Sequence, residues 1–408
     1  SSTATLKLRA APATRQLSPA LSFLLFASLT VSFLAGSSAP TPLYPVYIAK
    51  WGLTPLMITV IFGIYALAVL VALLVAGRLS DHLGRRPVLL TATLAQAATM
   101  ILFVIATSST GLIIARIIQG ITTGAALGAI GAALIDLDKT RGAVANSVAP
   151  PFGTATGAIV AGVLVQYLPF PTHLVYIVFA LVFILQAIAL SFVAETISPP
   201  RNGNVLASLK PQLKLPRATR EPLLLALPVL VAVWSLGAFY GSLSPLLVRT
   251  LVGWSSPLLG GLGLFVLAAS GGIAILILQH REPKQLMTSG VGSLLAGTAI
   301  AVGSLPYDSI PLFFFGTAVA GVGFGTGFQG AVRTVVSLAA PHERAGVLSI
   351  MFIISYIALG APAVVAGWMV ARHWDILATA QIFGVVVMAL AGAVLLGNIW
   401  RSATTRLR

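Results

Sequence analysis

The sequence predicts an all-α integral membrane protein, with twelve membrane-crossing helices in two pseudo-symmetric six-helix bundles. Three observations predict it. Of 408 residues, 58% are hydrophobic and only 8% are charged, against roughly a quarter charged in a soluble domain. The apolar residues fall in runs of about 20 or more, the length a helix needs to cross the hydrocarbon core. The longest polar stretch, residues 195–220, leaves six runs before it and six after it. The chain has no Cys, which excludes disulfides, thiol catalysis and thiolate metal sites. No metal or other cofactor is expected.

In chain order the runs are 20–39, 54–77, 87–107, 111–136, 142–167, 171–194, 221–248, 256–279, 284–304, 310–338, 344–371 and 375–400. They are rich in Gly, Ala and Leu and do not alternate polar with apolar, so barrel strands of about 10 residues are excluded. The first run ends in small residues, Ala35-Gly36-Ser37-Ser38-Ala39, as a signal peptide does before its cleavage site. It is longer than a signal core, and an even number of passes suits the charge pattern, so it is read as an uncleaved helix. Residue 1 is Ser rather than Met, and a trimmed start is expected.

An even number of passes puts both ends on one side. Of the 24 Lys and Arg, Lys50, Arg249 and Arg372 fall on the opposite side and Arg116 lies inside a run; the others share the side of the termini. Basic connections stay cytoplasmic, so both termini are expected in the cytoplasm and the chain in the cell's inner membrane. The net charge of +15 is therefore read as orientation, and no nucleic-acid partner is expected. The domain boundaries that follow are an N-terminal arm (1–18), a first bundle (19–194), a basic linker (195–220), a second bundle (221–400) and a short tail (401–408). The halves repeat. A shift of 203 residues places Arg141 on Arg344, Val144 on Val347, Gly120 on Gly323, Gly124 on Gly327 and Gly157 on Gly360.

The stretch between the second and third runs is Gly77-Arg78-Leu79-Ser80-Asp81-His82-Leu83-Gly84-Arg85-Arg86-Pro87. It resembles the signature Gly-x-Leu-x-Asp-x-x-Gly-Arg-Arg/Lys of the major facilitator superfamily of secondary transporters. Arg116-Ile-Ile-Gln119-Gly120 with Gly124 is similar to that family's fourth-helix motif, and Asp136 with Arg141-Gly142 to the turn that follows. The resemblance covers nearly the whole chain and is drug-efflux-like. The fifth-helix pattern Gly-Pro-x-x-Gly-Gly of drug/proton antiporters reads as Gly157-Ala158-Ile159-Val160-Ala161-Gly162, without its proline and one glycine, which weakens antiport more than the fold.

The resemblance implies gating at the inner face by Gly77, Arg78, Asp81, Gly84, Arg85, Arg86, Asp136, Arg141 and Arg344. Asp81 is expected to meet the start of the eleventh helix near Arg344, and Arg78 to pair with Asp136 or Asp138. A plainer alternative is that these arginines only set topology. The central cavity of this fold would draw on groups near mid-depth: Tyr65, Arg116, Gln119, Trp234, Tyr240, Gln329 and Tyr356. Large amphipathic side chains at that depth need a polar neighbour. A charge at mid-depth costs at least about 3 kcal/mol, so Arg116 is read as a cavity residue, with snorkelling to the interface as the alternative.

All nine acids, Asp81, Asp136, Asp138, Glu195, Glu221, Glu282, Asp308, Glu343 and Asp375, lie at run ends or in connections, and the five His are peripheral too. A cationic substrate would lack a counter-ion. The expectation is a monomeric secondary active transporter in the lipid bilayer, moving a small neutral, lipophilic or anionic compound by alternating access, most simply an exporter. Protons are a further candidate partner. The alternatives are a facilitator or metabolite importer without proton coupling, and a membrane receptor or scaffold. An intramembrane enzyme would need a buried nucleophile with a base or paired carboxylates, and the runs contain neither.

Overall fold

The computed structural model describes residues 16–197, 209–211, 213–254 and 256–406, with side chains to residue 397. Most of the expected arm at 1–18, the middle of the linker at 195–220 and the last two residues of the tail lie outside the described residues. Among the described residues all regular structure is helical, and twelve spans are long and apolar enough to cross a membrane.

Proline and hydroxyl caps start most of these spans. The helix α1 (Pro19–Ser38) opens on Ser18, whose Oγ accepts from Leu21 N–H at 3.3 Å. A 3-10 turn (Thr41–Leu43) and α2 (Tyr44–Trp51) continue the same pass, which spans Pro19–Trp51. The expected end at residue 39 is thus corrected. Pro40, Pro42 and Pro45 break the helical bonding, but Leu43, Tyr44 and Tyr47 are buried and keep the chain in the bundle. The first half continues with α3 (Pro55–Ala76), the one-turn α4 (Leu79–Leu83), α5 (Arg85–Ile105), α6 (Ser109–Leu137), α7 (Lys139–Tyr167) and α8 (Pro171–Leu190). A single residue, Asp138, joins α6 to α7. Its carboxylate accepts from Thr140 N–H at 3.0 Å and Arg141 N–H at 2.9 Å, satisfying two first-turn N–H groups that have no acceptor within the helix.

The second half runs α9 (Arg217–Ser242), α10 (Ser244–Val252), α11 (Pro257–Leu278), α12 (Pro283–Ser304), α13 (Ile310–Val336), α14 (Arg344–Ala371) and α15 (Ile376–Arg406). Residues 217–220, assigned to the linker by sequence, form the first turn of α9. The expected tail from 401 continues α15.

Each half begins alike. A long helix breaks near the face opposite the N-terminus and resumes as a short one. That short helix ends on a left-handed glycine, Gly52 (φ 64°) or Gly253 (φ 77°), a conformation that only glycine takes freely. A hydroxyl cap and a proline follow, Thr54-Pro55 and Ser256-Pro257. These pairs stand 201 and 202 residues apart, and the helix contacts keep that spacing. A side chain at Gly120 or Gly124 would strike α3 at Tyr65 O and Val69 O; at Gly321 or Gly325 it would strike α11 at Leu267 O and Gly271 O. The counterparts are therefore Gly321 and Gly325. Gly323 and Gly327, chosen by the shift of 203, face α12 and α9 instead. The sequence register was two residues off because glycine recurs on several faces of α13.

The first half packs around Phe26, Leu29, Phe33, Tyr44, Tyr47, Phe103, Tyr176 and Phe183. The second packs around Leu230, Phe239, Leu267, Leu294, Phe313, Val347 and Val387. Gly290 and Gly297 of α12 meet Gly323 and Gly316 of α13, and Gly330, seven residues further along α13, meets the Met287 backbone. Without a hydrophobic drive between helices in lipid, such close backbone approach supplies much of the packing. Between the halves α3 lies along α14 and α7 along α11.

Candidate functional site: a central cavity and a basic hinge

A cavity of about 240 Å³ lies between the halves. On the first half it is walled by Leu34, Ser37, Ser38 and Thr41 at the end of the first pass, Phe62 and Tyr65 of α3, and Asn146, Ser147, Pro150, Pro151 and Thr154 of α7. On the second it is walled by Val233, Trp234, Gly237 and Gly241 of α9, Leu264 and Ile275 of α11, Phe324, Gly325, Phe328 and Gln329 of α13, and Tyr356 and Leu359 of α14. Six of these side chains are aromatic and none is Asp, Glu, Lys, Arg or His. The Trp234 ring stands 5.0 Å from Tyr356 and 5.4 Å, edge-on, from Phe328.

Of the residues singled out from sequence, Tyr65, Trp234, Gln329 and Tyr356 line this cavity. Arg116, Gln119 and Tyr240 stand behind its wall. Arg116 is fully buried, which removes the snorkelling alternative. Its guanidinium donates to Ser37 O at 2.8 Å, Gln119 Oε1 at 2.7 Å and Tyr44 OH at 2.6 Å. It also lies 5.1 Å from the Tyr65 ring centroid, in cation–π range, so Tyr65 separates the charge from the cavity. The Tyr65 hydroxyl donates to Ser37 Oγ at 2.7 Å. In the second half Thr317 takes the corresponding position, 201 residues on, and its hydroxyl lies 2.6 Å from Tyr240 OH. One half thus buries a charge where the other buries a neutral pair. The residues missed by sequence, chiefly Asn146, Ser147, Pro150 and Pro151, share one stripe of α7. Two adjacent prolines inside an apolar run were the available signal.

The halves are bound together at the face opposite the N-terminus. Thr41 Oγ1 donates to Gly241 O at 2.8 Å, Ser256 Oγ donates to Gln166 Oε1 at 3.2 Å, and Gly367 of α14 packs directly on Thr59 of α3. Nearer the basic face, Gln329 Nε2 donates to Ser147 Oγ at 2.8 Å, also across the halves.

At the basic face the hinge residues pair differently from expectation. Asp81 pairs with Arg85, and Arg85 Nε also donates to Asp136 Oδ2 at 3.1 Å and Arg85 Nη1 to Ser80 Oγ at 2.7 Å. Arg344 Nε donates to Ala339 O at 3.3 Å within its own half. The expected Asp81–Arg344 contact is not made in this arrangement, in which the halves are bound at the opposite face. The one-turn α4 aims Asp81 back at the start of α5. Nor does Asp136 take Arg78, because Arg85 already occupies it; Asp138 instead caps α7 and lies 3.8 Å from Arg141. Gly77 caps α3, and Gly84 (φ 99°) turns the chain into α5, where a side chain would hit the Glu195 carboxylate. That carboxylate accepts from Arg85 N–H at 2.8 Å and Arg86 N–H at 3.1 Å, a negative charge on a helix N-terminus. The Arg86 guanidinium donates to Ser191 O. In the second half Lys214 Nζ lies 3.1 Å from Glu343 Oε1 and holds that carboxyl below the usual glutamate range.

The sequence matches the family model of the Major Facilitator Superfamily over residues 25–363. The chain belongs to the major facilitator superfamily. This major facilitator is accordingly a multi-pass membrane transporter and not an enzyme. Its fold is shared with the nucleoside transporter NupG in crystal structures of a point mutant (12% identity, 93% of this chain and 99% of that one covered, TM-score 0.69) and of NupG itself (14%, 91% and 98%, 0.67). It is shared also with a bacterial homologue of the human lysosomal transporter Spinster, crystallised inward-facing and unoccupied (13%, 93% and 95%, 0.70). No curated protein matches the sequence.

Proposed function

We propose that this major facilitator moves a small, uncharged, largely aromatic compound by alternating access, working as a monomeric exporter in the cell's inner membrane with its basic face and both termini in the cytoplasm. One observation carries the substrate class: six aromatic side chains and no Asp, Glu, Lys, Arg or His wall the cavity. A charged substrate would leave water for this site without a counter-ion, a penalty of several kcal/mol. The excess of Lys and Arg on the face of the termini supports the orientation. Export rests on the drug-efflux-like resemblance of the sequence, against which the missing proline and glycine of the fifth-helix pattern weigh. The cavity wall offers no carboxylate to carry a proton, so coupling to protons would work through Asp81 and Asp136 at the hinge. There Arg85 bridges both acids within the first half.

Three naphthalene probes that differ in charge test the substrate class: 2-naphthol, 2-naphthoate and 2-naphthylmethylammonium, bound to the purified full chain and followed by calorimetry. The uncharged probe should bind about tenfold or more tighter than either ion, and Trp234→Leu should weaken it. Tighter binding of 2-naphthoate would end the uncharged reading in favour of an anion site. Tighter binding of the ammonium would end that reading too.

A further inference from the structure

The cavity-lining stripe of α7 contains Pro150 and Pro151 well inside the helix. A proline has no N–H and cannot donate to the carbonyl four residues before it. The carbonyl oxygens of Asn146 and Ser147 therefore lose the donors that an unbroken helix would supply. Asn146, Ser147, Pro150 and Pro151 all line the cavity, so the two freed carbonyls lie on the wall between them. Elsewhere the treatment of such a carbonyl varies: among the described residues no side chain donates to Ala218 O or Leu224 O, freed by Pro222 and Pro228 of α9, whereas a third has a substitute donor. In α14, Pro362 frees Ala358 O, and Ser235 Oγ of α9 donates to it at 3.3 Å. Among the described residues no side chain donates to Asn146 O or Ser147 O. The nearby amides are engaged elsewhere, Asn146 Nδ2 on Gly131 O at 2.9 Å and Gln329 Nε2 on Ser147 Oγ at 2.8 Å. The two freed carbonyls thus add unpartnered acceptors to this end of the cavity.

We infer that the Asn146 and Ser147 carbonyls form a subsite for a hydrogen-bond-donating group, a hydroxyl or N–H, at one end of the transported compound. This rests on the reading of the cavity as an uncharged aromatic site and narrows it. The substrate is an aromatic body that packs on Trp234 and Tyr356 and carries a donor that fills the freed carbonyls. A buried acceptor left empty is unfavourable, so the subsite selects for donor-bearing compounds over those whose donor is methylated.

The test uses 2-naphthol and its methyl ether, 2-methoxynaphthalene, which share the ring and differ in the donor. Wild-type chain should bind the naphthol about two- to tenfold more tightly, the range of one net neutral hydrogen bond. In the double variant Pro150→Ala, Pro151→Ala, the two alanine amides refill the carbonyls, so the ratio of naphthol to ether affinity should fall to about one, whatever change the lost rings make to the affinity for both probes. Alanine in a helix interior favours folding over proline, so the variant keeps its fold. Pro362→Ala is the control for helix straightening, because Ser235 already serves Ala358 O there; it should keep the preference. Equal binding of the two probes by wild type overturns the subsite alone. So does a preference that survives the α7 variant or is lost in Pro362→Ala. Binding of neither probe overturns the aromatic cavity and the subsite together.

Discussion

Arg116 holds a full charge against three oxygens and one ring face, and among the described residues no carboxylate meets it. Planar geometry lets one guanidinium reach Ser37 O, Gln119 and Tyr44 while lying against Tyr65, which a lysine ammonium cannot do. Arg116→Lys should therefore lower stability by about 2 kcal/mol, seen as a fall in thermal unfolding temperature in detergent. An unchanged temperature would show that these bonds contribute little. The position of Arg116 inside an apolar run was legible in the sequence. Its partners were not, because Ser37 and Tyr44 lie on either side of a break that proline placed inside the first pass. Tyr65, Trp234, Gln329 and Tyr356 were legible as large polar-edged groups at mid-depth. Asn146 and Ser147 were not, because small polar residues in membrane helices usually bond their own helix.

Elements were legible wherever length and capping spoke together. Thr54-Pro55 and Ser256-Pro257 announce helix starts, and the spans that follow begin there. Gly84 and Glu195 show what sequence conceals, since an acid at the end of one run turns out to cap the start of another far earlier in the chain. Close packing of α3 on α6 depends on glycine. Gly124→Ala would place a methyl 2.6 Å from Val69 O and 2.7 Å from the Ala72 methyl, well inside contact distance. It should lower the unfolding temperature or the yield of folded protein. At Gly392 nothing stands within 4 Å, and Gly392→Ala should leave both unchanged. Equal behaviour of the two variants would mean that α3 and α6 have room to part.

At the scale of the molecule, run lengths and the sidedness of Lys and Arg made twelve spans readable. How the halves meet was not readable, because uniformly apolar helices do not reveal which face turns to which neighbour. Contacts such as Thr41 with Gly241 and Gln166 with Ser256 bind the halves at the face opposite the N-terminus. Alternating access requires those contacts to open. The chain has no Cys, so a pair introduced as Gln166→Cys and Ser256→Cys can be bridged selectively with a bifunctional thiol reagent that has a reducible spacer. Bridging should stop flux of the transported compound in proteoliposomes, and reduction should restore it. Flux that continues in the bridged state would sink the rocking of two halves.

The one-residue joint at Asp138 gives such rocking a mechanical character. A connection this short has no slack, and its carboxylate pins the turn from inside. The two 29-residue helices that it joins therefore behave as a bent lever. A displacement of the arm holding Arg116 has a direct path through this joint to the arm carrying Pro150 and Pro151, so a charge that never touches the cargo is tied to the wall against which the cargo rests.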